Sequence, residues 1–252
     1  ALGVYPYLKA PETHLYLAKQ MWEEANHCVS FEYVLQTFGF DREKIFSLHL
    51  ETPSMKAKED FIAKYVKRMS DTSLDIETDE GKRDFIRNLV ATNIVMEGIW
   101  FYSGFMVAMS FRQRNQLRNF ASMINWVLRD ESLHLKFGIN LITEILSENA
   151  HVVTPEFADE IRAIIIEGVE LEAAYNLDLF PRGILGLNAE YVNQYVQYVA
   201  DRRLEELGFE KHYNATNPAK WMTVSDTYEL VYFFEMQNTS YEVNSTASST
   251  TV

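Results

Sequence analysis

With 252 residues, 47% of them hydrophobic, the chain is long enough for one large domain with a real core and is too apolar to be disordered. A net charge of −13 argues against a broad basic surface for nucleic acid or an anionic membrane, and the single cysteine, Cys28, excludes an internal disulfide and fits a reducing cytoplasm. No apolar run is expected to reach the length of a membrane span, no secretory signal is visible, and Ala1 is expected to lie inside a longer protein.

Residues 1–10 read as a loop-like entry bracketed by Pro6 and Pro11. From Pro11 the pattern turns helical, with Pro at the first turn and Gly39 as the stop. A short helix and turn is expected over 41–50, and an amphipathic helix over Lys56–Met69, ended by the polar run SDTSLDIETDEG. Lys82–Asn115 is apolar on nearly all sides through its middle and is expected to be buried centrally. Asn119–Ser147, Pro155–Phe180 and Ala189–Leu207 complete the helices, the last two separated by the breaker PRGILGL. No alternating strand pattern occurs, so the fold class is all-α. Residues 1–237 form the expected domain, and 238–252, rich in Ser and Thr, a mobile tail.

The chemistry concentrates at two E-x-x-H pairs, Glu24/His27 and Glu131/His134. Residues three apart share a helix face, so each carboxylate stands beside its imidazole. A lone acid, Glu97, sits in the apolar run Ile94, Val95, Met96, Ile99, Trp100, Phe101, with no Lys or Arg one turn away. Burying such a carboxylate unpaired costs roughly several kcal/mol, which a divalent cation offsets. A single E-x-x-H is most often a solvated pair; two, flanked by Val127, Leu128, Leu133, Leu135 and Phe137 and joined by Glu97, match the ligands of a di-metal site in a four-helix bundle, less one acid. Glu12 lies too far along the helix of Glu24 to serve, so the fourth carboxylate is expected to precede Ala1. Oxygen and imidazole donors without thiolate suit Fe or Mn.

The segments EEANH (23–27), MEGIWFYSGF (96–105), RDESLHLKFG (129–138), PRGILGL (181–187), YVADRRLEELG (198–208) and FFEMQNTSY (233–241) together resemble the radical-generating small subunit of class I ribonucleotide reductase over nearly the whole chain. The resemblance implies a ferritin-like helical bundle with Glu24, His27, Glu97, Glu131 and His134 as metal ligands. It makes Asp130 the acid that holds a ligand imidazole and couples to radical transfer, and Phe101 and Phe105 the wall on the oxygen side. Glu235 and Tyr241 match the tail residues that relay the radical between subunits. The implied partners are a second copy of the chain, the large catalytic subunit docked through the tail, and O₂, with no nucleic acid or membrane. The implied activity is supply of an oxidising equivalent for ribonucleotide reduction in the cytoplasm.

One position departs from the family pattern. Where common members carry the radical tyrosine, four residues after the first ligand histidine, this chain has Phe31, which faces the metals but has no O–H to lose. Tyr33 is rotated off that face. The resemblance is therefore to the class Ic branch, with a Mn/Fe pair holding the oxidant; Mn/Mn and Fe/Fe pairs are the alternatives. Cys28 is expected to point away from the site as a packing residue. His14, His49, His151 and His212 are expected to be surface or capping residues, and Arg202 and Arg203 a solvated or pairing face. Asn214, Asn238 and Asn244 begin N-x-S/T triplets without meaning in a chain that is not secreted. The competing readings are a ligand-binding di-metal oxidase of the same scaffold, a ferritin-like storage protein, and a metal-free helical interaction protein.

Overall fold

The computed structural model of the chain describes residues 3–70, 74–184 and 186–222. Among these, the elements run α1 (Pro11–Phe38), α2 (Arg42–Glu51), α3 (Pro53–Ser70), α4 (Asp79–Leu89), a π-helical segment (Val90–Trp100), α5 (Phe101–Gln113), α6 (Arg118–Glu148), α7 (Pro155–Leu179) and α8 (Ala189–Glu206). The described residues contain no strand, only an isolated bridge between Ile184 and Leu187 inside PRGILGL, where Gly183 and Gly186 take positive φ. The tail and the segment holding Glu235, Asn238, Tyr241 and Asn244 lie outside the described residues.

Helix ends follow local chemistry. Pro11 opens α1, where its missing N–H is no loss, and Gly39 closes it at φ +72°, with Phe40 N–H returning to Leu35 O at 3.0 Å. Thr78, Thr154 and Asn188 cap α4, α7 and α8 by accepting the N–H of Gly81 (3.1 Å), Phe157 (3.3 Å) and Tyr191 (2.8 Å).

The expected Lys82–Asn115 helix is one continuous rod from Asp79 to Gln113, but its middle is π-helical, and Phe101 N–H bonds Met96 O five residues back. A π turn changes hydrogen-bond partners without changing composition, so nothing in the apolar pattern announces it. Contrary to expectation, this rod is long and apolar enough to cross a membrane; 72% of its most apolar window is buried, because it forms the axis of the bundle. Ile94, Val95 and Ile99 have no exposed surface. Neighbouring helices approach closely where they carry glycine: a Cβ on Gly138 of α6 would lie 2.4 Å from the Asn93 side chain, and one on Gly168 of α7 2.3 Å from Val95. Trp100 Nε1 donates to Gly168 O at 2.8 Å across the same contact.

For the DRRLEE run on α8, expected as a solvated or pairing face, the pairing holds and the solvation does not. Arg203 is no solvated residue: 2% exposed, it donates Nε to Gly98 O at 3.0 Å, lies over the Tyr102 ring at 4.8 Å and pairs with Glu206 at 2.9 Å. Asp201, also buried, accepts from the backbone N–H of His212, Tyr213 and Ala215 and so holds the segment after α8. Two charges of this motif, Asp201 and Arg203, are internal struts, while Glu205 and Glu206 are exposed.

α1 attaches differently from the rest. Its buried residues are Leu17, Gln20, Glu23 and His27, three of them polar, while Leu15, Trp22 and Val29 are exposed.

Candidate metal centre

α1 and α6 lie side by side so that their acid–histidine pairs interlock, with Glu97 supplied by the π segment between them. One carboxylate oxygen each from Glu24 and Glu131 and one nitrogen of His134 lie within 4.8 Å of one another. His134 Nδ1 is 3.2 Å from Glu24 Oε1 and 3.3 Å from Glu131 Oε2. His27 Nδ1 is 3.0 Å from Glu131 Oε1 and 3.7 Å from Glu24 Oε2, yet makes no hydrogen bond. Both imidazoles thus turn Nδ1 toward the same two carboxylates. His27 Nε2 meets Asp130 Oδ2 at 3.2 Å, and His134 Nε2 meets Glu23 Oε2 at 3.0 Å. A carboxylate can only accept, so each Nε2 carries a proton that stays when a cation takes the place of the Nδ1 proton facing the site.

Glu23 is the residue that sequence reasoning missed. A signal existed: the repeated unit is an acid followed by E-x-x-H, in EEANH and in DESLH. The leading acid of each copy clamps the histidine of the other helix. Glu23 is 6% exposed and is ion-paired with Lys19. Two further residues on the same face of α1 were also unforeseen. Gln20 donates to Glu97 Oε1 at 3.3 Å. Tyr16 stacks on Phe137 with centroids 4.1 Å apart, and its buried hydroxyl has no hydrogen-bond partner. Burial, then the charges of Glu23, Glu97 and Glu131, hold the Tyr16 phenol well above its ordinary range.

The electrostatics of the metal-free site are those of anions crowded around two imidazoles. Burial opposes charge on His27, but the surrounding carboxylates of Asp130, Glu131 and Glu24 prevail and push it up to about 11. His134 is pushed up to about 10 against burial by Glu131, Glu24 and Glu23. Burial also opposes the Glu24 charge, yet the two histidines bring it down to about 2. Glu97 goes the other way: burial, then the Glu131 charge, raises it to about 8, and its Oε2 is buried without a partner. An orphaned acid oxygen and two Nδ1 positions that converge on shared carboxylates suit divalent cations with oxygen and nitrogen preference, which would displace the Nδ1 protons.

A cavity of about 540 Å³ adjoins the site on one side, reached by Glu24, His27 and Glu131 and walled by Phe31, Phe101 and Phe105 among others. Phe31 lines it, 41% exposed, while Tyr33 is 67% exposed and is absent from the lining. Cys28 is a second correction. It is exposed and lines this cavity, because it stands four residues, one α-helical turn, beyond Glu24 on the same face. Among the expected apolar flanks, Val127, Leu128 and Leu135 are buried, whereas Leu133 is 42% exposed. Glu172 on α7 is a further buried acid on the cavity wall, but it is paired with Lys58. His14 meets Leu8 O, His49 meets Phe46 O and His151 meets Asp79, all away from the site.

Residues 1–218 match the family model described as "Ribonucleotide reductase, small chain". The chain is 40% identical to a ribonucleoside-diphosphate reductase subunit beta from Chlamydia pneumoniae over 244 residues, 96% of this chain and 70% of that protein. It is 29% identical to the subunit beta from Treponema pallidum, over 95% of this chain and 68% of that protein. Among solved structures it is similar to a ribonucleotide reductase R2 subunit from Clostridium botulinum, with TM-score 0.78 and 27% identity, covering 88% of this chain and 69% of that one. The homodimer of Rnr4 from Saccharomyces cerevisiae shares the fold, with TM-score 0.68 and 24% identity over 87% of this chain and 66% of that one.

Proposed function

The chain belongs to the ribonucleotide reductase small-chain family, and on that premise we propose that it activates O₂ at a dinuclear metal centre and supplies the oxidising equivalent for ribonucleotide reduction. The observation that carries this reading is the pair of imidazoles whose Nδ1 atoms converge on Glu24 and Glu131 beside the partnerless oxygen of Glu97. Glu24, His27, Glu97, Glu131 and His134 would hold the metals. The bound pair supplies reduction of O₂ and storage of the oxidising equivalent. Asp130 and Glu23 keep each histidine protonated at Nε2, and the phenyl rings of Phe31, Phe101 and Phe105 exclude water from the cavity side.

Phe31 supports the finer reading that the oxidant stays on the metals, as in class Ic, with Mn/Fe ahead of Mn/Mn or Fe/Fe. No phenol stands on the cavity face one turn beyond His27 to hold it instead. The working assembly is a cytoplasmic homodimer that docks a large catalytic subunit through residues 238–252, with Glu235 and Tyr241 in the relay. The test is metal analysis and EPR of the oxygenated full-length protein, with and without manganese, alongside turnover with the large subunit. Activity that requires manganese, without a narrow organic signal, is expected. A tyrosyl signal that tracks activity with iron alone would overturn the metal-stored oxidant, and repeating the experiment with Tyr16→Phe identifies its source. The absence of bound metal would overturn the function itself.

A further inference from the structure

Lys58 on α3 is an unusual wall for an apolar cavity. Its side chain is 18% exposed, and its Nζ lies 4.4 Å from the ring centroid of Trp100 and 4.6 Å from that of Tyr175. Glu172, 2% exposed, closes the cage with an ion pair at 2.5 Å. All four residues line the cavity that Glu24, His27 and Glu131 also line. A buried ion pair is weak evidence of stabilisation, since apolar residues of similar volume fill such a place as well or better. The cage therefore calls for another account.

Its rings supply one. Indole and phenol are among the side chains most readily oxidised by one electron, and here they flank a site proposed to hold an oxidant. Trp100 stands three residues after Glu97. Oxidising it moves one electron from the indole to the oxidant. The indole N–H is bonded to the amide oxygen of Gly168 at 2.8 Å, which is no base, so the proton stays and the ring becomes a cation. That cation would form 4.4 Å from an ammonium group, in a setting with little water to screen it. Attraction between the ammonium and the neutral ring face turns into repulsion once the electron leaves.

We propose that Lys58, held in place by Glu172, is a redox guard that keeps Trp100 from being oxidised and so keeps the oxidising equivalent from leaking into the protein. Lys58 is a positioning and electrostatic residue in this role and touches no reacting atom. The role it is given rests on the oxygen-activating reading above, but its electrostatic core can be tested without metal.

The metal-free protein is exposed to photogenerated tris(bipyridine)ruthenium(III), which takes one electron from a ring and becomes ruthenium(II). Oxidation at Trp100 is then quantified by peptide mass spectrometry against the exposed Trp22. Lys58→Met/Glu172→Gln removes the cation without leaving an unpaired carboxylate, and is expected to raise Trp100 oxidation roughly tenfold, the order of a desolvated cation–π contact. Lys58→Arg should match the parent. Glu172→Gln alone, which leaves the cation without its counter-charge, should not exceed it, although mere loosening of the wall would raise oxidation in that variant too. Equal Trp100 oxidation in all variants, including none in any, overturns the guard, as does an increase in Glu172→Gln. In the oxygenated, metal-loaded double variant, an EPR signal altered by ring-deuterated tryptophan is expected. If no oxidant forms even in the parent, the functional reading fails, and the metal-free comparison still decides the guard.

Discussion

His27 on α1 donates through Nε2 to Asp130 on α6 at 3.2 Å, and the contact is returned one turn away, where His134 on α6 donates to Glu23 on α1 at 3.0 Å. Two copies of one short motif thus clamp each other's imidazoles. Acids in this outer position fix the tautomer and orientation of a metal-binding histidine, and their loss typically lowers metal affinity about 10–100-fold. Glu23→Gln and Asp130→Asn should each lower affinity by that order, the first at the His134 position and the second at the His27 position. Calorimetric titration with Mn²⁺ measures it. Unchanged affinity in Glu23→Gln would remove that residue from the site.

Glu131 is 1% exposed and lies within 3.3 Å of both histidine Nδ1 atoms. Replacing it with Ala deletes a charge and a group shared by both halves of the site. Elemental analysis of purified Glu131→Ala after metal loading should show loss of at least one metal per chain. Full stoichiometric retention would strike Glu131 from the ligands.

The metal-free protein should lose stability as pH rises. His27 and His134 are raised from 6.5 to about 11 and about 10, so their contribution is fully present below pH 6.5 and lost as pH climbs through those values. Glu97, raised from 4.5 to about 8, acts in the same direction between those two values, because the folded state holds its proton more tightly. Glu24, lowered from 4.5 to about 2, adds a loss only in strong acid. Thermal melts of metal-free protein between pH 6 and 9 should show a falling midpoint. A midpoint that rises with pH contradicts the site as described.

Arg203→Met keeps the volume of the side chain but leaves Gly98 O without its donor and Glu206 without its partner. A cost of about 2–3 kcal/mol is expected for unsatisfying such groups. It should appear as a drop of several degrees in the melting midpoint of the metal-loaded protein. A change within experimental error would show that these contacts carry little of the stability.

Much of this molecule is legible one helix at a time. Pro11 and Gly39 mark α1, Thr154 and Pro155 open α7, and the three-residue spacing of Glu24 from His27 and of Glu131 from His134 puts each pair on one face. What lies between helices is not legible that way. Face arithmetic says that Glu23 points somewhere other than Glu24, but not that His134 of a distant helix waits there. The same limit hid Arg203, whose acidic neighbours suggest solvent while its partners are Gly98 and Tyr102. The π segment escaped because residues 90–100 carry the same apolar composition whichever carbonyl their N–H groups choose. Cys28 is a different case: its adjacency to His27 suggests that it points away from the site, but it stands one turn beyond Glu24 and so shares the cavity face.

The inner face of α1 couples the docking of that helix to the loading of the site. A helix whose buried residues are Leu17, Gln20, Glu23 and His27 has little grease to hold it, and its grip comes from contacts between anions and imidazoles. Those contacts change character when cations arrive, since the histidine protons at Nδ1 must depart and the carboxylates gain a shared partner. Amide hydrogen exchange along α1 should therefore slow sharply on metal uptake, while the π segment, sealed by Gly138 and Gly168, stays protected throughout. Before the metals bind, α1 is the hinged panel of the housing; afterwards it is bolted shut.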